Sequence, residues 1–451
     1  MLPTTVALPE ELWVGIFSQL DRKQDKPAIL SLRRVNKTFC RLTTPLVFCR
    51  LTPIPTPLKL HLAKSPKRFT VRPWIARIAQ QPGLLPLIKE IDLRGRDDGS
   101  SHIPAEDMVE RELFPAHEQL LAMIKAPVTL SQDLQSTIDE AWTNREAKYR
   151  MTTLLLCEAV EEIGLNMAGG SENHLTYHVV KLLARAHLDA LCQAAPVFLP
   201  LAHVTTVRCE ANFVCPVAFD FALQWLSLPR LRSLKICGLS DQEIGNQEIG
   251  NQVMRPTLDQ DIQHSGPIEL HFDDCMLGHE GLRDIIDACT GPISLTMRWR
   301  AGLWTERIQW DEIGALLRQY GTRLDHVLID ATPSWSEGRR DTECSFGDLS
   351  NTRIRSLGIP YASLINAISE EKTAASLLPT TLERLTLLGA EEGDRKRLFG
   401  SHLKTARPRL TDVRVAPWYR YCYEEWFGRV THQCIDYNVV TDLGLQRAYS
   451  G

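Results

Sequence analysis

The chain has 451 residues, 44% hydrophobic and 24% charged, with a formal net charge of −4. That length suits two or three domains or one long array, and the balance is that of an ordinary globular protein. The small net charge gives no pull toward nucleic acid or acidic membrane. No run of eighteen apolar residues predicts a transmembrane helix, and Met1–Thr5 lacks the basic start and apolar core of a signal peptide.

The first element is a helix opening at Leu8-Pro9. Pro9 suits a first helical turn, where its missing N–H is not needed. Glu10 and Glu11 follow, where negative charge suits the dipole. Leu12, Ile16 and Leu20 recur every four residues with Phe17 beside them, so one face is apolar. A second run, Ala28, Leu32, Val35, Phe39, Leu42 and Leu46, keeps a helical period in steps of four and three. Asn36 divides that run into two helices, because Asn favours caps over interiors, and Pro45 ends or kinks the last one. Three helices of this size need outside help to be stable. Trp13, Val14, Phe17, Leu30 and Val47 do not all fit one small core. Either the helices pack on the rest of the chain, or one face is reserved for a partner.

The order of these residues is informative: Leu8-Pro9, the Ile16-Phe17 pair seven residues on, then Leu30-Ser31-Leu32-Arg33-Arg34-Val35-Asn36-Lys37-Thr38-Phe39. It resembles an F-box, the helical module that docks a protein onto a cullin-based ubiquitin ligase. The loop at residues 21–26 is more charged than the usual spacer. The resemblance implies that Leu8, Pro9, Leu12, Ile16, Phe17 and Leu20 pack in or against a Skp-type adaptor. It implies the same for Leu30, Leu32, Val35 and Phe39 of the second and third helices. Cullin would be reached through the adaptor.

Next comes Leu51-Thr52-Pro53-Ile54-Pro55-Thr56-Pro57. Proline at every second position forbids a helix and favours extended backbone, so residues 52–60 read as a linker after an F-box at 7–51. Beyond it, strand-like units recur at Ile88–Leu93, Val204–Cys209, Leu231–Ile236, Ile268–Phe272, Ile293–Met297, Leu324–Ile329, Ile354–Ile359, Leu382–Leu387 and Leu410–Val415. Several fit Leu-x-x-Leu-x-Leu, the strand of a leucine-rich repeat. The central apolar residues Leu234, Leu270, Leu295, Val327, Leu357, Leu385 and Val413 recur every 25 to 36 residues, room for one strand and one helix. Gly281–Cys289 and Trp310–Tyr320 have the helical spacing to fill two of those intervals. The usual repeat asparagine is mostly missing, so the array is irregular. Between about 103 and 195 the strand pattern stops, and Ala105–Lys125, Leu130–Gly164 and Leu175–Ala194 predict helices. The exact tandem copy Gln242–Asn246 and Gln247–Asn251 reads as a loop lengthened by duplication, which costs little closure entropy.

Nothing in the chain spells out catalysis. It contains no G-x-S-x-G, no phosphate-binding G-x-x-x-x-G-K, no G-x-G-x-x-G and no H-E-x-x-H. His264, His271, Cys275 and His279 cluster in one stretch and Cys422, His432 and Cys434 in another, neither with zinc spacing. Asp273-Asp274 reads as turn chemistry. The twelve cysteines include no Cys-x-x-Cys pair and sit mostly among Leu and Val. They read as buried free thiols of a reducing compartment, cytoplasm or nucleus. No enzyme, metal or cofactor is expected.

Alternate strand residues should form an exposed row, Lys235, His271, Thr296, Leu328, Gly358, Thr386 and Arg414. The loops leaving the strands carry Trp304, Trp335, Arg339, Arg340, Tyr361 and Trp418, residue types that anchor interfaces, and read as a rim for a protein substrate. The sequence therefore predicts an α/β chain: a three-helix F-box, then an irregular leucine-rich-repeat-like solenoid over 61–451 with a helical insertion. The expected function is substrate recognition in a Skp–cullin–F-box ligase. The alternative is a repeat scaffold without a ligase link, whose first helices serve its own fold.

Overall fold

A computed structural model of the chain describes residues 8–20, 25–51, 54–56, 68–70, 74, 77–78, 80–93, 159–166, 201–211, 217–241, 264–299, 309–330, 345–368, 373–389, 406–416, 435–438 and 446–447. They form a mixed α/β fold, with N-terminal helices followed by parallel strands interspersed with helices. The chain divides into two compact units, one comprising residues 1–186 and 193–204, the other residues 187–192 and 205–451.

The first unit opens with α1 (Glu10–Ser18), α2 (Lys26–Leu32) and α3 (Lys37–Phe48). Asn36 separates the last two as expected: its side-chain oxygen accepts the N–H of Phe39 at 2.7 Å and caps α3. Pro45 does not end α3, which runs on to Phe48. Ahead of it the hydroxyls of Thr43 and Thr44 donate back to the carbonyls of Phe39 and Cys40 at 2.7 and 2.6 Å. Such back-bonding lets a helix bend and continue. Phe17 from α1 meets Phe39 from α3 edge-on at 5.2 Å, and Trp13 closes the cluster 4.7 Å from Phe39.

The described residues 54–56 of the proline-rich stretch are extended, as its composition favours. The stretch follows β1 (Arg50–Leu51) and contains β2 (Ile54–Thr56), which pairs antiparallel with β3 (Arg68–Thr70). β1 pairs in parallel with β4 (Glu90–Leu93), and β4 with β5 (Glu162–Asn166). Leu51, Ile91 and Ile163 are thereby brought into one fully buried row. β5 corrects the helix expected over Leu130–Gly164, whose last turn is a strand. Val160, Ile163 and Leu165 bury their side chains, and pairing with β4 outweighs the local helical spacing. The helices expected at Ala105–Lys125 and Leu175–Ala194 lie outside the described residues.

The second unit follows one rule. Its strands and helices are β6 (Thr206–Glu210), β7 (Val217–Ala218), α4 (Phe219–Trp225), β8 (Ser233–Cys237), β9 (Leu239–Ser240), β10 (Ile268–Cys275), α5 (His279–Asp287), β11 (Ile293–Trp299), α6 (Trp310–Tyr320), β12 (Leu324–Asp330), β13 (Ser356–Pro360), α7 (Tyr361–Ala367), α8 (Ala374–Leu377), β14 (Arg384–Leu388) and β15 (Asp412–Ala416). β6, β8 and β10–β15 pair in chain order, all parallel. Two antiparallel strands, β16 (Ile435–Asn438) and β17 (Gln446–Arg447), follow them. Right-handed crossovers between strands taken in order bring the intervening helices to one side of the sheet.

The nine sequence-predicted strand segments all fall on strands, and the central residues of the eight in this unit share one register. Val207, Leu234, Leu270, Leu295, Val327, Leu357, Leu385 and Val413 stand side by side on successive strands, each buried. Burying a Leu or Val side chain contributes roughly 1.5–3 kcal/mol, so this row is the spine of the unit. Alternation is clean on β11, where Ile293, Leu295, Met297 and Trp299 are buried and Ser294, Thr296 and Arg298 are half-exposed. One face thus receives the helices. Trp310 of α6 packs edge-on against Trp299 at 5.6 Å and Phe346 at 5.4 Å. The Tyr320 hydroxyl donates to Asp287 at 2.6 Å, joining α6 to α5.

Candidate functional site: two exposed faces

Helix α1 is apolar on two sides. With 100° per residue, Leu12 and Ile16 form one stripe and Trp13 and Phe17 another, and Leu8 precedes the helix. Phe17, 4% exposed, is held inside by Phe39, whereas Leu12 and Ile16 remain 53% and 48% exposed. Leu8, Pro9, Leu30 and Val35 are also exposed, Val35 at 61%. Leu20, Leu32 and Phe39 are half-buried. Of the ten adaptor candidates, Phe17 therefore belongs to the internal core and six apolar residues face outward: Leu8, Pro9, Leu12, Ile16, Leu30 and, from the α2–α3 turn, Val35. Val14, exposed on α1, extends the outward set. Its misfit with a single core was the signal in the sequence. Glu10 of α1 and Arg41 of α3 form an exposed ion pair at 2.5 Å that ties the two helices. The Arg33 guanidinium lies 5.4 Å over the Phe48 ring.

The second face is the side of the parallel sheet away from the crossover helices. Lys235, His271, Thr296, Leu328, Gly358, Thr386 and Arg414 stand in one register, as the sequence predicts. All are exposed or half-exposed except Gly358, which the Leu328 side chain covers. Beside it runs a polar row of Ser233, Glu269, Ser294, His326, Ser356, Arg384 and Asp412. Burial holds the His271 imidazole below its ordinary range, and Lys235 adds to that; Glu269, 3.8 Å away, and Asp273 oppose it. Arg298 sits between Asp273 at 3.3 Å and buried Asp330 at 3.8 Å. The face carries both signs of charge.

Of the expected rim, Trp304, Trp335, Arg339, Arg340 and Trp418 lie outside the described residues. Tyr361 opens α7 with its ring buried, so it is a core residue. The Asp273-Asp274 pair sits where the β10–β11 register shifts, with Asp274 at φ 50°. That is turn and bulge geometry. His264 and Cys275 are buried, and His279 lies 4.0 Å from Glu312. Among the described residues no group of three or more His, Cys, Asp and Glu is placed to hold a metal. Burial pushes the Cys289 thiol up to about 12 and the Cys209 and Cys275 thiols higher, which removes them as nucleophiles. No described helix is long and apolar enough to cross a membrane.

No protein-family model matches the chain, and no curated protein matches it.

Proposed function

We propose that the chain is the substrate-recognition subunit of a Skp–cullin–F-box ubiquitin ligase. In this reading α1–α3 form the F-box and dock the Skp-type adaptor. The second unit is an irregular leucine-rich-repeat-like solenoid that takes a protein substrate, and the chain has no catalysis of its own. It acts in the cytoplasm or nucleus by holding substrate near the charged conjugating enzyme, an effective-concentration effect.

The observation that carries this reading is the outward stripe of α1. Leu8, Leu12 and Ile16, with Leu30 and Val35, stay exposed although the same helices bury Phe17 and Ile29. Exposed apolar residues grouped on one element mark an interaction surface. The free sheet face supports the second half. Parallel sheets usually have both faces covered, and strands paired strictly in chain order with one half-exposed face are the arrangement of a solenoid.

Capture of the adaptor by the full-length chain tests the proposal. Leu12→Asp with Ile16→Asp should abolish capture while leaving the chain folded, because neither side chain is needed inside. If the wild-type chain takes up no adaptor, a repeat scaffold is left. If the double variant binds as wild type does, the stripe is not the docking surface.

A further inference from the structure

Charge around the outward apolar patch is not balanced. Val35, 61% exposed, lies between Arg34 and Lys37, both exposed, and among the described residues neither side chain has a hydrogen-bond or ion partner. Arg33 is turned to the Phe48 ring and Arg41 is taken by Glu10. The exposed carboxylates of the three helices, among the described residues, are Glu10 and Glu11. The first is consumed by Arg41, and the second stands in the first turn of α1, where the dipole favours it.

Lys37 runs against that logic. It is the first residue of α3, whose first turn holds no acid, so its ammonium adds to the positive end of the helix dipole. Folding alone favours Asp or Glu there. Two cations with no partner among the described residues, one of them at an unfavourable helix end, thus flank in sequence the most exposed large apolar side chain of the patch.

We propose that Arg34, Val35 and Lys37 form the basic edge of the docking surface and select a partner that presents carboxylates beside an apolar contact. This rests on the reading of α1–α3 as the adaptor-binding module, and the occupant is that adaptor. Val35 supplies the apolar contact. Arg34 and Lys37 steer the encounter and penalise a partner that is basic at that place. The apolar stripe holds the complex, and the edge sets how fast and with whom it forms.

The test measures association and dissociation rates of the full-length chain with the purified adaptor at about 0.1 M and about 1 M salt, where screening lengths are about 10 and 3 Å. Arg34→Glu with Lys37→Glu should weaken binding by about tenfold or more at the lower salt, chiefly by slowing association. Arg34→Gln with Lys37→Gln should flatten the salt dependence of the wild-type association rate. The same two-charge reversal on the sheet face, Lys235→Glu with Arg384→Glu, should change neither rate. Wild-type rates and salt dependence in the Arg34/Lys37 reversal would overturn the inference; the docking reading would still stand if the Leu12/Ile16 variant fails to bind. An adaptor that does not bind wild-type chain at either salt removes both.

Discussion

The carboxylate of Asp241 accepts the main-chain N–H of Gly278 at 2.8 Å. Gly278 is the residue before α5, whose own cap position supplies no side-chain acceptor. A residue from the end of β9 therefore caps a helix far along the chain. Gly281 in the first turn is what lets it approach, because a Cβ there would come 2.6 Å from Asp241 Oδ2. Asp241→Ala should cost about 1 kcal/mol, the usual value of a lost N-cap, and Asp241→Asn should retain most of it. Urea unfolding of the second unit measures both.

Two helical glycines should respond to alanine with opposite signs. On α6, a Cβ at Gly314 would sit 2.3 Å from the Phe346 carbonyl oxygen, a main-chain atom that cannot turn aside. Gly314→Ala should destabilise by about 1–3 kcal/mol, although alanine is the better helix former. On α1, a Cβ at Gly15 meets nothing within 4 Å. Gly15→Ala should stabilise the first unit by about 0.5–1 kcal/mol through the helix-propensity difference alone. Equal signs in chemical denaturation would mean that one of these two environments is wrongly assigned.

His264 should make the second unit sensitive to acid. Its ring is buried against the main-chain carbonyls of Leu226, Leu228 and Leu231, and Nε2 has no hydrogen-bond partner. Its main chain is bonded to Ala288 and Thr290, both at 2.7 Å. Burial lowers the imidazole below the ordinary 6.5, and the three carbonyls offset only part of that shift. In the unfolded chain the proton binds more readily, so this stability is present above 6.5 and is lost as pH falls through the lower folded value. His264→Gln should be less stable than wild type at about pH 8 yet lose less stability between about pH 7 and pH 5. Parallel pH profiles of the two proteins would assign the acid sensitivity elsewhere.

The strands were legible because Leu-x-x-Leu-x-Leu carries its own register. A residue such as Leu295 can be buried only if its neighbours Leu270 and Val327 are level with it, and they are. β5 was not legible, since Val160 and Ile163 fit a helical period as well as a strand, and the arbiter is Ile91 on a distant strand. Which side of α1 turns inward was hidden for the same reason. Ile16 and Phe17 are adjacent and both apolar, and only Phe39 on α3 decides between them. Tyr361 follows Pro360 in a segment that resembles a loop anchor. The helix that starts there turns its ring into the core, a tertiary fact that residue type does not carry.

The two sides of α1 should separate folding from docking. Phe17 is 4% exposed and in edge contact with Phe39, so Phe17→Ala leaves a cavity and should cost about 3–5 kcal/mol. Leu12→Ala and Ile16→Ala remove side chains that are about half exposed, and should each change stability by less than about 0.5 kcal/mol. Adaptor capture should rank differently. Phe17→Ala should bind in proportion to the folded fraction that remains, whereas Leu12→Ala with Ile16→Ala should lose binding while fully folded. Thermal unfolding and capture run on the same samples distinguish the two. A Leu12/Ile16 variant that unfolds as readily as the Phe17 variant would place that stripe inside the protein's own packing, leaving α1 no outward apolar face for a partner to take.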